Sequence, residues 1–130
     1  MKRPIQEADV PWETWYAGTQ REIRGKALSD AGGPAKLGVG LCELPQGSNT
    51  KPAHFHSEEE EHLYVLQGRA DLYLGDETFS LRVGSYVCFP AGQEAAHYIH
   101  NTGETPFLYL IVGERYETDR VVYPHGDGDD

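Results

Sequence analysis

Three imidazoles and one carboxylate are the groups in this chain whose types and spacing could do chemistry together: His54, His56, Glu61 and His97. Neutral imidazole and ionised carboxylate form a donor set for a divalent transition metal, whether Fe, Mn, Ni, Co, Cu or Zn. Four such ligands on a metal that prefers six leave positions open for water or a small molecule. An open metal can hold a substrate oxygen, polarise a carbonyl or bind dioxygen. Little else in the chain points to a reaction. It has no Gly-rich phosphate loop, no dinucleotide fingerprint, no His-Glu-x-x-His and no Gly-x-Ser-x-Gly. A catalytic base is not identifiable. Glu94 lies near His97, but a surface role suits it equally, and Tyr64, Tyr98 and Tyr109 are as suited to a wall as to a ligand.

The spacing fits strands. Side chains on a strand alternate faces, so His54 and His56 point one way and Phe55 the other. On a following strand Glu61, Leu63 and Val65 share a face, opposite His62, Tyr64 and Leu66. On a third, His97, Ile99 and Asn101 share a face, and His100, the rival to His97, points away. The same phase makes His62 an exposed or wall residue rather than a ligand. Glu58, Glu59 and Glu60 read as a solvated acidic loop, and His100 and His125 as surface residues.

Glycines punctuate these segments. Gly47 precedes His54, Gly68 follows Glu61, and Gly84 and Pro90-Ala-Gly92 precede His97, with Asn101 beyond it. The pattern resembles the two signatures of the cupin family, Gly47…His54-x-His56…Glu61…Gly68 and Gly84…Pro90-x-Gly92…His97…Asn101. The gap from Gly47 to His54 is one residue longer than usual and that from Gly92 to His97 two longer. Both insertions fall in loops, where added length costs little. The lead-in from Trp15 to Pro45 and the ending Asp119-Arg-Val-Val-Tyr-Pro124 are similar to a group of small single-domain bacterial cupins, most without an assigned function. The resemblance implies a jelly-roll barrel, metal ligation by His54, His56, Glu61 and His97, and a homodimer. It allows dioxygenase-like redox chemistry, with a slight preference, or isomerase-like chemistry. One fold hosts many functions, so a non-catalytic small-molecule or metal sensor is the alternative, and a ligand-free barrel a third reading.

The elements that must position these residues are strands throughout. The pattern predicts an all-β fold with strands at 19–25, 37–44, 51–56, 61–67, 69–74, 77–82, 85–89, 95–101, 106–112 and 119–123. Turn signals fall between them, including Gly75-Asp76 and Asn101-Thr-Gly103. Residues 1–18 read as an irregular aromatic arm, residues 19–124 as a single domain, and residues 125–130 as a disordered acidic tail. Leu63–Leu66 and Phe107–Val112 carry apolar residues on both faces, which implies that both faces are covered.

Length and charge set the frame. The 130 residues suffice for one domain with a real core. The formal charge of −10, from 11 basic and 21 acidic residues with no basic stripe, argues against nucleic acid and anionic membranes. Apolar runs are too short to span a bilayer, and no secretory signal follows Met1, so the cytoplasm is the expected compartment. Cys42 and Cys88 sit in apolar segments and read as buried free thiols rather than a disulfide.

Overall fold

Alternating apolar residues and Gly-containing turns break this chain into short strands. A computed structural model describes residues 3–33, 35–92 and 96–126. After a three-residue 3-10 turn (Glu7–Asp9) come β1 (Glu13–Trp15), β2 (Ile23–Ala27), the single-turn helix α1 (Leu28–Ala31), β3 (Leu37–Leu44), β4 (Phe55–His56) and β5 (Glu61–Gln67). Then follow β6 (Ala70–Leu74), β7 (Glu77–Leu81), β8 (Tyr86–Phe89), β9 (His97–His100), β10 (Phe107–Glu114) and β11 (Val121–Val122). The fold is an all-β jelly roll.

One sheet runs β1-β2-β3-β10-β5-β8 and the other β7-β6-β9, with β4 paired to β11. Isolated bridges from Asn49 to His100 and from His54 to His97 join the segment before β4 to β9. Leu44, Leu63, Val65 and Phe107 from the large sheet and Leu72 and Ile99 from the small one form the core between the sheets. Burial of that apolar surface is the main force holding the sheets together. At the centre of one loop Asn101 is wholly buried. Its Nδ2 donates to the carbonyls of Leu44 and Thr105, each at 2.9 Å, and its Oδ1 accepts from the Gly103 amide at 3.0 Å. The two-residue Gly75-Asp76 loop joins β6 to β7, with Gly75 at φ 58° supplying the first position of a hairpin turn that matches strand twist.

Several elements differ from the sequence expectation for physical reasons. The stretch 1–18 is not wholly irregular, because Glu13–Trp15 pairs with β2 in register Glu13↔Gly25. The Trp15 ring packs on Gly25, 3.0 Å from where a Cβ would stand. The expected strand 51–56 shrinks to Phe55–His56, since Pro52 has no amide to donate to a ladder. The first strand slides from 19–25 to Ile23–Ala27, and the last shortens to Val121–Val122. The arm docks over β2, where the buried Lys26 ammonium donates to the carbonyl and carboxylate of Glu7 and lies 4.7 Å from the Trp12 ring. Farther along the same outer face, Tyr64 and Leu66 are 47% and 42% exposed, so within a single chain the outer side of β5 is uncovered. Glu94 and Ala95, and residues 127–130 of the expected tail, lie outside the described residues.

Candidate metal centre

Strand pairing assembles the site. The bridge between His54 and His97 sets the first histidine against β9. Two residues on, His56 lies in β4, which β11 holds through the pair Val121↔His56. Glu61 opens β5 opposite Gly113 of β10. A Cβ on Gly113 would stand 3.2 Å from Glu61 Cγ, so the missing side chain leaves the room that the carboxylate uses. The result is that one ligand atom from each of His54, His56 and Glu61 lies within 4.8 Å of the other two. His56 Nε2 is 3.4 Å from Glu61 Oε1.

His97 stands beside this trio but outside it. Its ring centroid is 4.7 Å from that of His54, and its ring stacks on Phe89 at 3.8 Å. It is buried, and its Nδ1 has no hydrogen-bond partner. A buried polar atom without a partner is costly unless something else satisfies it.

The other ring nitrogens are fixed. His56 Nδ1 lies 2.8 Å from Asp119 Oδ2, and His54 Nδ1 lies 3.3 Å from the Pro52 carbonyl oxygen. A carboxylate and a carbonyl only accept, so both rings hold their proton on Nδ1 and keep the Nε2 lone pair for a metal. Carboxylates behind metal-binding histidines commonly have this orienting role. Asp119 escaped the sequence reading as a site residue. Its only signal was the likeness of the chain's ending, because 63 positions separate it from His56.

The electrostatics point the same way. Burial, helped by the neighbouring His54 and His56 rings, pushes the His97 pKa down to about 3. Burial lowers that of His54 too, against the Pro52 hydrogen bond, with His56 adding to the fall. Burial raises the Glu61 carboxyl pKa, although His56 partly offsets this. For Asp119, burial works upward, but His56 and the Glu58 and Glu59 amides outweigh it and hold the carboxyl below its ordinary range. The imidazoles of His54 and His97 are therefore neutral at neutral pH, which is the form that binds metals. An anionic Glu61 lacks a full countercharge. The donor set, the unpartnered His97 nitrogen and the space left by Gly113 fit a divalent transition ion.

The acidic loop is more structured than expected. The amides of Glu58 and Glu59 donate to Asp119 Oδ1 at 2.9 and 3.0 Å, and Glu59 Oε2 accepts from the Tyr116 amide at 2.9 Å. His54 and His56 open onto a cavity of about 250 Å³ whose walls also carry Tyr16, Arg21, Lys51 and Tyr123. Tyr16 adopts φ 56°, uncommon for a non-glycine residue, and its ring lies 4.6 Å beneath the Arg21 guanidinium. Arg21 Nε also donates to the Lys51 carbonyl at 2.9 Å, so the end of the arm forms one wall.

Residues 40–113 match the cupin domain family. A relative from Aquifex aeolicus (strain VF5), named only as an uncharacterised protein, is 34% identical over 64 residues. Those residues are 49% of this chain and 51% of the relative, so the chain spans about half of that protein's length. A solved structure from Acidithiobacillus ferrooxidans, provisionally named a sugar phosphate isomerase, is 30% identical with a TM-score of 0.78 over 89% of this chain and 74% of the other. A sugar phosphate isomerase of the cupin superfamily from Silicibacter pomeroyi is 24% identical with a TM-score of 0.86, covering 96% and 83%, a likeness of fold. With the jelly roll, the paired signatures and the matched family, this chain belongs to the cupin family.

Proposed function

We propose that this cupin binds one divalent transition ion through His54, His56, Glu61 and His97 and transforms a small polar molecule in the adjoining cavity. The observation that carries the proposal is the trio His54, His56 and Glu61 with both Nδ1 atoms already engaged. When bound, such a metal supplies Lewis acidity and a template for oxygen ligands. The chain's own residues then have defined tasks. Asp119 and the Pro52 carbonyl keep the two rings in register. Phe89 covers one face of His97 and keeps water from it. Arg21 and Lys51 place positive charge in the cavity wall, which suits an anionic or polyhydroxylated substrate. Isomerisation of a phosphorylated sugar is the favoured reaction, ahead of dioxygenation, on the basic Arg21 and Lys51 in the cavity wall and the likeness to the Acidithiobacillus protein.

A second reading is binding without turnover. The described lining of the cavity includes no carboxylate to act as a base. Elemental analysis of the purified protein decides first. His56→Ala is expected to hold about one metal ion per chain fewer than the wild type. Metal-loaded protein is then assayed against aldose and ketose phosphates. Saturable binding without conversion would select the second reading, and absence of metal uptake would remove both. We extend the proposal to a homodimer covering Tyr64 and Leu66. Light scattering at 14.5 kDa would remove that extension.

A further inference from the structure

The outer face of the β5–β8 pair carries another group of ligand-type side chains, which the barrel site does not use. His62 stands directly opposite Cys88 in the antiparallel register, and Glu60 immediately precedes β5. One ligand atom from each of Glu60, His62 and Cys88 lies within 4.8 Å of the other two. His62 Nε2 is 2.7 Å from Glu60 Oε2, and Nδ1 is 2.6 Å from the Tyr86 hydroxyl. A carboxylate only accepts, so Nε2 carries the proton towards Glu60 and Nδ1 accepts from the Tyr86 O–H. The His62 and Glu60 side chains are 38% and 46% exposed, so an ion reaches them from solvent.

We propose that Glu60, His62 and Cys88 form a surface site for a Zn²⁺-class cation, separate from the barrel centre. One thiolate, one imidazole and one carboxylate suit Zn²⁺ or Co²⁺ in tetrahedral coordination, with water fourth, and do not suit Mg²⁺ or Ca²⁺. Two of the three ligands are held by cross-strand pairing, which fixes their spacing before the ion arrives. On binding, the ion takes the place of the proton between His62 Nε2 and Glu60. His62 passes to the Nδ1–H tautomer and donates to the Tyr86 oxygen. The Cys88 thiol gives its proton to solvent, so one proton is released per ion and no electrons move. The site ties edge strand β8 to β5, next to Phe89, whose ring stacks on His97.

Cobalt(II) titration of the full chain tests this. A thiolate ligand gives a sulfur-to-cobalt charge-transfer band in the near ultraviolet, and the nitrogen and oxygen donors of the barrel centre give none. The band is expected in the wild type, His56→Ala and Cys42→Ser, and is expected to be lost in Cys88→Ser and His62→Ala. Wild-type protein without the band would overturn the site. So would a band that survives in Cys88→Ser, and one lost in Cys42→Ser would place cobalt on the inner thiol instead. Because His56→Ala disables the barrel centre, this result is independent of the proposed function. As a readout of strand clamping, Zn²⁺ should raise the urea midpoint of His56→Ala and leave that of His56→Ala/Cys88→Ser unchanged.

Discussion

At His56 the ring is anchored by the chain's own hydrogen bonds. Asp119 Oδ2 accepts a hydrogen bond from its Nδ1–H at 2.8 Å, and Asp119 Oδ1 accepts from two loop amides. Asp119→Ala frees the ring to rotate and loosens the Glu58–Glu59 turn. Metal affinity should fall about 10–100-fold, the usual effect of losing such support. Asp119→Asn keeps an oxygen acceptor and should lose less. Calorimetric titration of both variants checks the order, and equal affinities in wild type and Asp119→Ala would show the ring is held otherwise. At this scale the sequence was informative where the geometry is local. His54 and His56, two apart on one strand, were readable as a pair from alternation, and Glu61, five further on and on the next strand, from the spacing of the cupin-like signature. Asp119 was not, because its contact exists only through the β4–β11 pair. The outward phase of His62 was readable, but its partner Cys88 depends on a register that no local pattern encodes.

Among the elements, β5 and β10 carry most of the positioning. Glu61 faces Gly113 across the ladder, and the space there is tight. Gly113→Val should push the carboxylate aside and weaken metal binding about tenfold, at the low end for displaced ligand support. Gly113→Ala should have a smaller effect, because the end of Glu61 can give by a few tenths of an ångström. Metal titration with circular dichroism separates displaced ligation from lost fold. The loop after β9 makes a different demand. Asn101→Ala would remove a side chain that satisfies two carbonyls and one amide in a buried place. The expected loss is about 3 kcal/mol, since each stranded buried group costs on the order of 1–3 kcal/mol. Urea denaturation measures it, and a loss below about 1 kcal/mol would mean that water replaces the side chain. Most strands were legible because alternation and turn residues agree, as at Leu37–Leu44 and Glu61–Gln67. β1 was not legible, because its three exposed residues show no burial alternation and its pairing is decided by Trp15 seating on Gly25. Gly68 was legible as a turn, and the structure adds its reason: φ 79° and a Pro106 carbonyl 2.7 Å from where a Cβ would sit.

For the molecule as a whole, alkaline stability follows from what the barrel buries. Cys42 is a free thiol on β3, in register with Tyr109 of β10. Burial raises the thiol pKa from 9.0 to about 11, only partly countered by the Tyr109 hydrogen bond, and burial holds the Tyr109 phenol well above its ordinary value. Both folded pKa values are raised, so both groups favour the folded state fully while the unfolded chain is also protonated. As pH rises past the unfolded thiol value, the unfolded chain loses protons first and stability falls, continuing until the folded thiol also ionises. The net charge of −10 at neutral pH becomes more negative over the same range, and self-repulsion adds to the loss. The melting temperature should therefore hold steady to about pH 9 and fall between pH 9 and about 11. Cys42→Ala should fall less steeply across that window, with the remaining slope due to Tyr109 and to overall charge. Parallel pH series of thermal melts on the two proteins measure the difference. Superimposable slopes would show that the inner thiol titrates alike in the folded and unfolded chains, and so does not limit alkaline stability.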